Sequence, residues 1–326
     1  MTRSEFADAT RQALGRLEAS HTNFYTPDDP EYYGLTSIFR AFLKREVVEL
    51  ESIGVDVAPG HFVRVVFAGS PADKAGLRRG DQILLADGKE FHPVLSFRGR
   101  TGQAVTLVVR SRRDGPPREV VIVPRKVDPR EEWLQDQKLG AGVVAARGKK
   151  VAYMPLFSAA GEQHQSVLVE EITDRFAEAD ALILDFRNGW GGADPTFVNL
   201  FNRMTPVLEE VGSDGTRSRY DPQWRKPLFL LINGGSRSGK EVVAFAVQKQ
   251  KIGTLVGERS AGAVLAGSPF LLRDRSLLFL AVSDVLVDGE RLEGRGVLPD
   301  VEVVDQLPFA EGRDPQLEKA LGLAAP

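Results

Sequence analysis

Two short segments hold the side chains most suited to nucleophilic chemistry: Ser20-His21 near the start, and Ser238-Gly239-Lys240-Glu241 far downstream. A serine hydroxyl is a weak nucleophile until a base takes its proton. The chain has four histidines. His21 lies among polar and turn residues running from Ser20 to Pro30, where a lone imidazole ordinarily reads as solvated. Ser238 precedes Val242, Val243 and Phe245, so Ser238-x-x-Glu241 reads as a capping box satisfying two orphan N–H groups. The same geometry suits a nucleophile. A hydroxyl at a helix N-terminus faces outward, and the nearby N–H groups and helix dipole stabilise a developing oxyanion. The residues alone leave both readings open.

Other candidates are weaker by themselves. In Arg187-Asn188-Gly189-Trp190-Gly191-Gly192, glycines free backbone N–H groups to meet a ligand oxygen, or simply allow a tight strand-to-helix turn. Lys240 invites a serine–lysine pair, but residues two apart on a helix do not face each other. It is expected to be a solvated first-turn lysine. Glu293 reads either as a surface hairpin carboxylate or as the acceptor that orients a histidine. His61, His92 and His164 have no catalytic-looking neighbours, and His164 is expected to be solvated on a helix. The chain has no cysteine, which excludes disulfides, thiolate zinc sites and a cysteine nucleophile.

These residues need elements to position them. Residues 1–48 read as helical, with Phe6, Ala9, Ala13, Leu14 and Leu17 at helical spacing. A second apolar set, Tyr33, Ile38, Phe39, Phe42 and Leu43, follows the Pro27–Pro30 turn. Residues 52–126 break into short β-like runs, such as Val63–Phe67 and Val105–Val109, separated by turn signals. The charged stretch 111–118 reads as a hairpin loop. From about 150 strand and helix alternate, which argues α/β. Ala181–Phe186 and Pro227–Ile232 are continuous apolar runs, as in strands buried on both faces. Gln163–Ala177 has helical periodicity, and Asp194-Pro195 opens a helix. Residues 205–225 look like an irregular insertion. Leu271–Val287 reads as paired strands with a turn at Asp274-Arg275-Ser276.

Length allows two or three domains with real cores. The chain is 42% hydrophobic and 27% charged, with a net charge of −3. No electrostatic footprint for nucleic acid is present, and no apolar run reaches membrane-spanning length. Met1-Thr2-Arg3-Ser4-Glu5 is not a signal peptide. The compartment is therefore expected to be exported, periplasmic or extracellular, if a leader was removed upstream, and cytoplasmic otherwise.

Taken together, these segments resemble the tail-specific, or C-terminal processing, serine protease family. Gly234–Glu241 is similar to its nucleophile segment, in a register that makes Ser238, not Ser236, the nucleophile. Leu184–Gly192 resembles the family's Gly-Gly turn, Gly257–Gly262 the segment after the next strand, and Gly296-Val297-Leu298-Pro299-Asp300 its closing motif. Residues 52–126 resemble a PDZ domain, notably Ser70-Pro71-Ala72 and Ala75–Ile83. The resemblance covers nearly the whole chain in the family's order. Many members carry a lysine base in a Phe-Gly-Lys-Gly stretch, where this chain has Ala263. The tricorn-core-like branch instead uses a histidine in a Ser-His pair upstream of the PDZ domain, backed by a downstream glutamate. Ser20-His21 and Glu293 match those positions, although Ser260-Ala261-Gly262-Ala263 departs from that branch's usual Thr-Gly-Gly-Gly.

The resemblance implies a three-part serine endopeptidase. A helical N-terminal segment, residues 1–51, carries the Ser-His pair. An inserted PDZ-like β-rich domain, 52–126, uses Ile53, Gly54 and Val55 to take a peptide at a strand edge. An α/β, crotonase-like core, 127–326, carries Ser238. His21 is the implied base, Ser20 and Glu293 orient it, and N–H groups of Gly191 or Gly192 and of Gly239 hold the oxyanion. A protein or peptide substrate is expected, without nucleic acid, metal or organic cofactor, and oligomerisation stays open. The N-terminal helical region is short for this branch, so the natural start is expected upstream. Two other classes stand beside this reading: an inactive PDZ-bearing scaffold, and a crotonase-like acyl-CoA enzyme, which the PDZ-like region counts against.

Overall fold

The computed structural model describes residues 2–326, together with all their side chains except that of Arg3. Met1, the first residue of the segment tested above for a signal peptide, lies outside it. The chain divides into two compact units. The first comprises residues 1–136, 265–285 and 306–314, and the second residues 137–264, 286–305 and 315–326. Among the described residues no helix is long and apolar enough to cross a membrane.

The first unit opens with the helix Arg3–Gly15. Thr2 and Glu5 form a reciprocal capping box, with Glu5 N–H donating to Thr2 Oγ1 at 3.2 Å and Thr2 N–H to Glu5 Oε2 at 2.7 Å. The helical reading of 1–48 holds only in part. Asn23–Tyr25 is a strand, paired antiparallel with Leu277–Ser283 so that Asn23 faces Phe279. Leu277–Ser283 also pairs with Ala266–Leu271 around the turn at Asp274–Ser276. The helix Pro30–Ile38 follows, and then turns rather than a longer helix.

Residues 55–122 of this unit build a six-stranded antiparallel sheet, with Val55–Ala58 at one edge and Arg118–Ile122 at the other. Val105–Arg110 alternates between faces as a strand must, with Val105, Leu107 and Val109 fully buried. They join Ile53, Val63, Ile83, Phe91 and Phe97 in one core. Gly54 needs its glycine: φ is +80°, and a Cβ there would lie 2.2 Å from Ser70 Cβ.

The second unit is built on a six-stranded sheet in the order Gly142–Ala146, Lys149–Pro155, Ala181–Asp185, Leu228–Ile232, Thr254–Gly257 and Val301–Glu302. The first pair is antiparallel and the rest are parallel. Every residue of Ala181–Asp185 and Leu228–Ile232 is buried, as their unbroken apolar runs require. Helices Glu162–Thr173, Gly239–Lys249 and Pro315–Ala324 accompany this sheet. Asp194 caps a 3₁₀ helix, Pro195–Leu200, accepting the Thr196 N–H at 2.8 Å. The 205–225 insertion is more regular than its sequence suggested, since Leu208–Val211 and Arg217–Tyr220 form an exposed hairpin.

Two solvated-residue expectations are corrected here. His164 is buried, with Nδ1 2.7 Å from Gln137 Oε1. Lys240 is fully buried. The cause is helical spacing. His164 shares its face with Val167, Leu168 and Ile172, and Lys240 shares its face with Val243, Ala244 and Val247. Both polar residues stand where the periodicity places core.

Candidate active site

In the second unit the strand Leu228–Ile232 runs into a turn that delivers Ser238 to the first turn of Gly239–Lys249. Ser236 is structural. Its Oγ donates to Phe186 O at 2.9 Å and accepts the Asn233 N–H at 3.0 Å. Asn233 ties this turn to the neighbouring one, with Oδ1 accepting N–H groups from Asn188 at 3.0 Å and Gly235 at 2.9 Å. Ser236 therefore has its hydroxyl committed, whereas Ser238 is half-buried at the corner itself.

Ser238 sits at φ 58°, ψ −130°. A non-glycine residue there is strained, by about 1–3 kcal/mol, and persists only where its surroundings enforce it. The enforcement is visible. Ser238 N–H lies 2.8 Å from Ala263 O and 3.2 Å from Glu241 Oε2. Glu241 in turn collects Ser260 Oγ at 2.6 Å, Gly262 N–H at 2.7 Å and Ala263 N–H at 2.8 Å. Burial pushes the Glu241 carboxyl up from its ordinary range, opposed by these hydrogen bonds. A strained residue on a strand–turn–helix corner is how a hydroxyl is held out for attack.

The Gly-Gly turn meets this corner. A Cβ on Gly191 would lie 2.5 Å from Ser238 Cβ and 3.1 Å from Gly239 N. A Cβ on Gly239 would lie 2.3 Å from Ala193 O. Gly192 is exposed, with φ +85°. Ser238, Gly191 and Gly239 are thus brought together, with Gly192 next to them in the chain. The Asp185–Arg187 ion pair (Arg187 Nε to Asp185 Oδ1, 2.8 Å) anchors the start of the turn.

Glu293 also belongs to the second unit and is buried rather than on the surface, accepting the Val264 N–H on Oε2 at 2.7 Å. The turn beyond it is pinned by Gly294 N–H to Gly262 O at 2.8 Å. Glu293 therefore fixes the same loop that Glu241 holds from its other end.

Ser20 and His21 lie in the first unit, on the turn before Asn23–Tyr25. Ser20 Oγ is 3.0 Å from His21 Nδ1. His21 has φ 55°, its ring stands 5.7 Å from that of Phe279, and its Cβ would be 2.9 Å from a Cβ on Gly267. Thr22 Oγ1 accepts the Ala281 N–H at 3.1 Å. The late strands of this unit thus set the histidine's position. Ile53 is in the core of the same unit, and Val55 opens the edge strand. The Gly54 N–H donates to Ser52 Oγ at 2.9 Å.

Glu241 and Lys240 are the residues that sequence reasoning undervalued. Glu241 was legible only as half of a capping box, although it also organises residues 260–263. The inner-face spacing 240, 243, 244, 247 was the available signal for Lys240.

Residues 150–303 match peptidase family S41. That segment carries the family match, and the chain is similar to its members. The chain is a serine-type peptidase with the S41 fold, mixed α and β. Relatives of this peptidase include the carboxyl-terminal-processing protease of Synechocystis sp., 27% identical over 98% of this chain and 77% of the relative. Tricorn protease homolog 1 of Streptomyces coelicolor is 31% identical over 78% of this chain, which spans 24% of that much longer protein. Among solved structures, the photosystem II D1 C-terminal processing protease shares the fold, with a TM-score of 0.51 and 23% identity over 100% of this chain and 87% of that one.

Proposed function

We propose that this peptidase is an endopeptidase with Ser238 as nucleophile and His21 as general base. The backbone of Ser238 carries the reading, because strain at φ 58°, ψ −130° beside a glycine turn is unexplained by helix capping alone. With Nδ1 engaged by Ser20, the base role falls to His21 Nε2. It takes the Ser238 hydroxyl proton as Oγ attacks the peptide carbonyl carbon. The oxyanion is stabilised by N–H groups of Gly191 or Gly192 and of Gly239. Collapse of the tetrahedral intermediate breaks the C–N bond, and the imidazolium returns its proton to the leaving amine. Water, activated by the same imidazole, then hydrolyses the acyl-enzyme. Ser20 and Glu293 orient the ring and stabilise its cation, a hydroxyl relay in place of a direct carboxylate contact.

Residues 52–126 act as a PDZ domain that captures an extended peptide by strand addition at the Val55–Ala58 edge, with Ile53, Gly54 and Val55 around the peptide end. Residues 1–51 serve as the base-bearing segment and 127–326 as the crotonase-like core. The inactive-scaffold reading is less favoured, because every residue the mechanism needs is in place in the sequence. A fluorophosphonate probe tests the assignment. Labelling is expected at Ser238, mapped by peptide mass, and lost in Ser238→Ala. A label on Ser236, or undiminished labelling of Ser238→Ala, would remove Ser238 as nucleophile.

A further inference from the structure

Lys240 is fully buried two residues after Ser238 and makes no ion pair among the described residues. Its Nζ donates to Phe157 O and to Asn188 O, each at 3.0 Å. Taking an ammonium out of water is costly unless strong partners repay it. The charged groups acting on it are Asp185, which favours the cation, and Arg237, which opposes it. A leucine or methionine would pack beside Val243, Ala244 and Val247 without that cost. What the lysine does must therefore be sought in the two carbonyls it joins.

Those carbonyls belong to the two strands of chain that shape the oxyanion turn. Phe157 O also accepts the Trp190 N–H at 2.8 Å, and Ala159 N–H donates to Gly191 O at 3.0 Å. Ser158 and Trp190 form a parallel bridge. Gly189, at φ +65°, rests so closely on Phe157 that a Cβ would meet its carbonyl oxygen at 2.0 Å. Gly191 then abuts Ser238 with no room for a methyl group. Segment 157–159, turn 188–191 and the nucleophile helix are thus locked in series, and Lys240 Nζ bonds to both of the first two from the third.

We propose that Lys240 is a positioning residue for the oxyanion pocket: by bridging the Phe157 and Asn188 carbonyls it holds Gly191 against Ser238. This rests on Ser238 and the Gly191 turn being the catalytic corner. Lys240 is not assigned as the base, because residues two apart on a helix do not face each other and its Nζ is directed to the Phe157 and Asn188 carbonyls. The bridge also survives loss of the charge, because a neutral amine still has two N–H groups for the same two acceptors. Burial pulls its pKa down to about 7, so both forms serve near neutrality.

The test is Lys240→Met in the full chain, assayed on a peptide substrate and with a fluorophosphonate. Misplacement on the ångström scale costs on the order of 10²-fold. kcat per folded molecule is expected to fall about 100-fold with KM within about threefold, and the phosphonylation rate to fall in parallel. A merely structural lysine would lower Tm and the folded fraction but leave kcat per folded molecule intact, and that result overturns the proposal. If Lys240→Met does not fold, Lys240→Leu, which likewise offers no N–H donor, gives the same readout, and wild-type kcat per folded molecule in it overturns the proposal equally. Ser238→Ala run alongside separates the two claims. Turnover surviving in Ser238→Ala would sink the nucleophile assignment itself, whatever Lys240 does.

Discussion

Gly191 and Ser238 are in contact so close that a Cβ on the glycine would lie 2.5 Å from the serine Cβ and 2.6 Å from Arg237 O. Real Cβ atoms do not approach a neighbour that closely, and both obstructing atoms belong to or adjoin backbone. Glycine is therefore required at 191 for approach. Gly191→Ala should push the turn away from the corner. Losing one oxyanion donor costs about 10²–10³ in kcat. Gly191→Ala is expected to lose kcat in that range with little change in KM, read by steady-state kinetics on a peptide. A variant with wild-type kcat would show that the turn does not serve the oxyanion.

Lys240 also shapes the dependence of stability on pH. Its folded pKa is about 7 and its ordinary value 10.5. Between those values the unfolded chain binds more protons than the folded one, so stability rises with pH across that window. The contribution is fully present above about 10.5 and is lost as pH falls through about 7. Lys240→Met lacks this group. The wild-type-minus-variant difference in unfolding free energy should therefore grow between pH 7 and pH 10, measured by urea titration. A difference that stays flat across that window would mean the buried amine keeps its ordinary pKa.

Much of the corner is legible in the sequence. Ala181–Phe186 and Pro227–Ile232 could only be doubly buried strands, and the Ser238-x-x-Glu241 spacing placed a helix start. The strand Asn23–Tyr25 was not legible, because three residues carry too little local signal and its pairing with Leu277–Ser283 is remote in sequence. Glu293 reads in the sequence either as a surface hairpin carboxylate or as a site acceptor, and its burial is not legible there because its partner, the Val264 N–H, lies 29 positions away. Lys240 was misread by residue type. Charge argued for solvent, but its place on the face with Val243, Ala244 and Val247 decided otherwise. Local propensity and pattern reach one element at a time, whereas these three depend on what each element packs against.

Glu293 has a second expected role, stabilising the His21 cation through Ser20. Removing a negative charge near an imidazolium disfavours its charged form and lowers its pKa. In Glu293→Gln the rising limb of kcat/KM against pH should therefore move to lower pH, and the plateau rate should drop. Glu293 also holds the Val264 N–H, so a purely structural role would lower the rate without moving the limb. A limb at the wild-type pH would remove Glu293 from the relay.

The pairing of Ser238 with His21 is the central claim, and a kinetic cycle tests it most directly. A nucleophile and base that work as one unit are grossly non-additive: removing either costs about as much as removing both. kcat is to be measured for Ser238→Ala, His21→Ala and the double variant on one peptide, with folding checked by circular dichroism. The expected result is three nearly equal losses of several orders of magnitude. A His21→Ala enzyme near the wild-type rate beside an inactive Ser238→Ala would contradict the account and assign the base to another group.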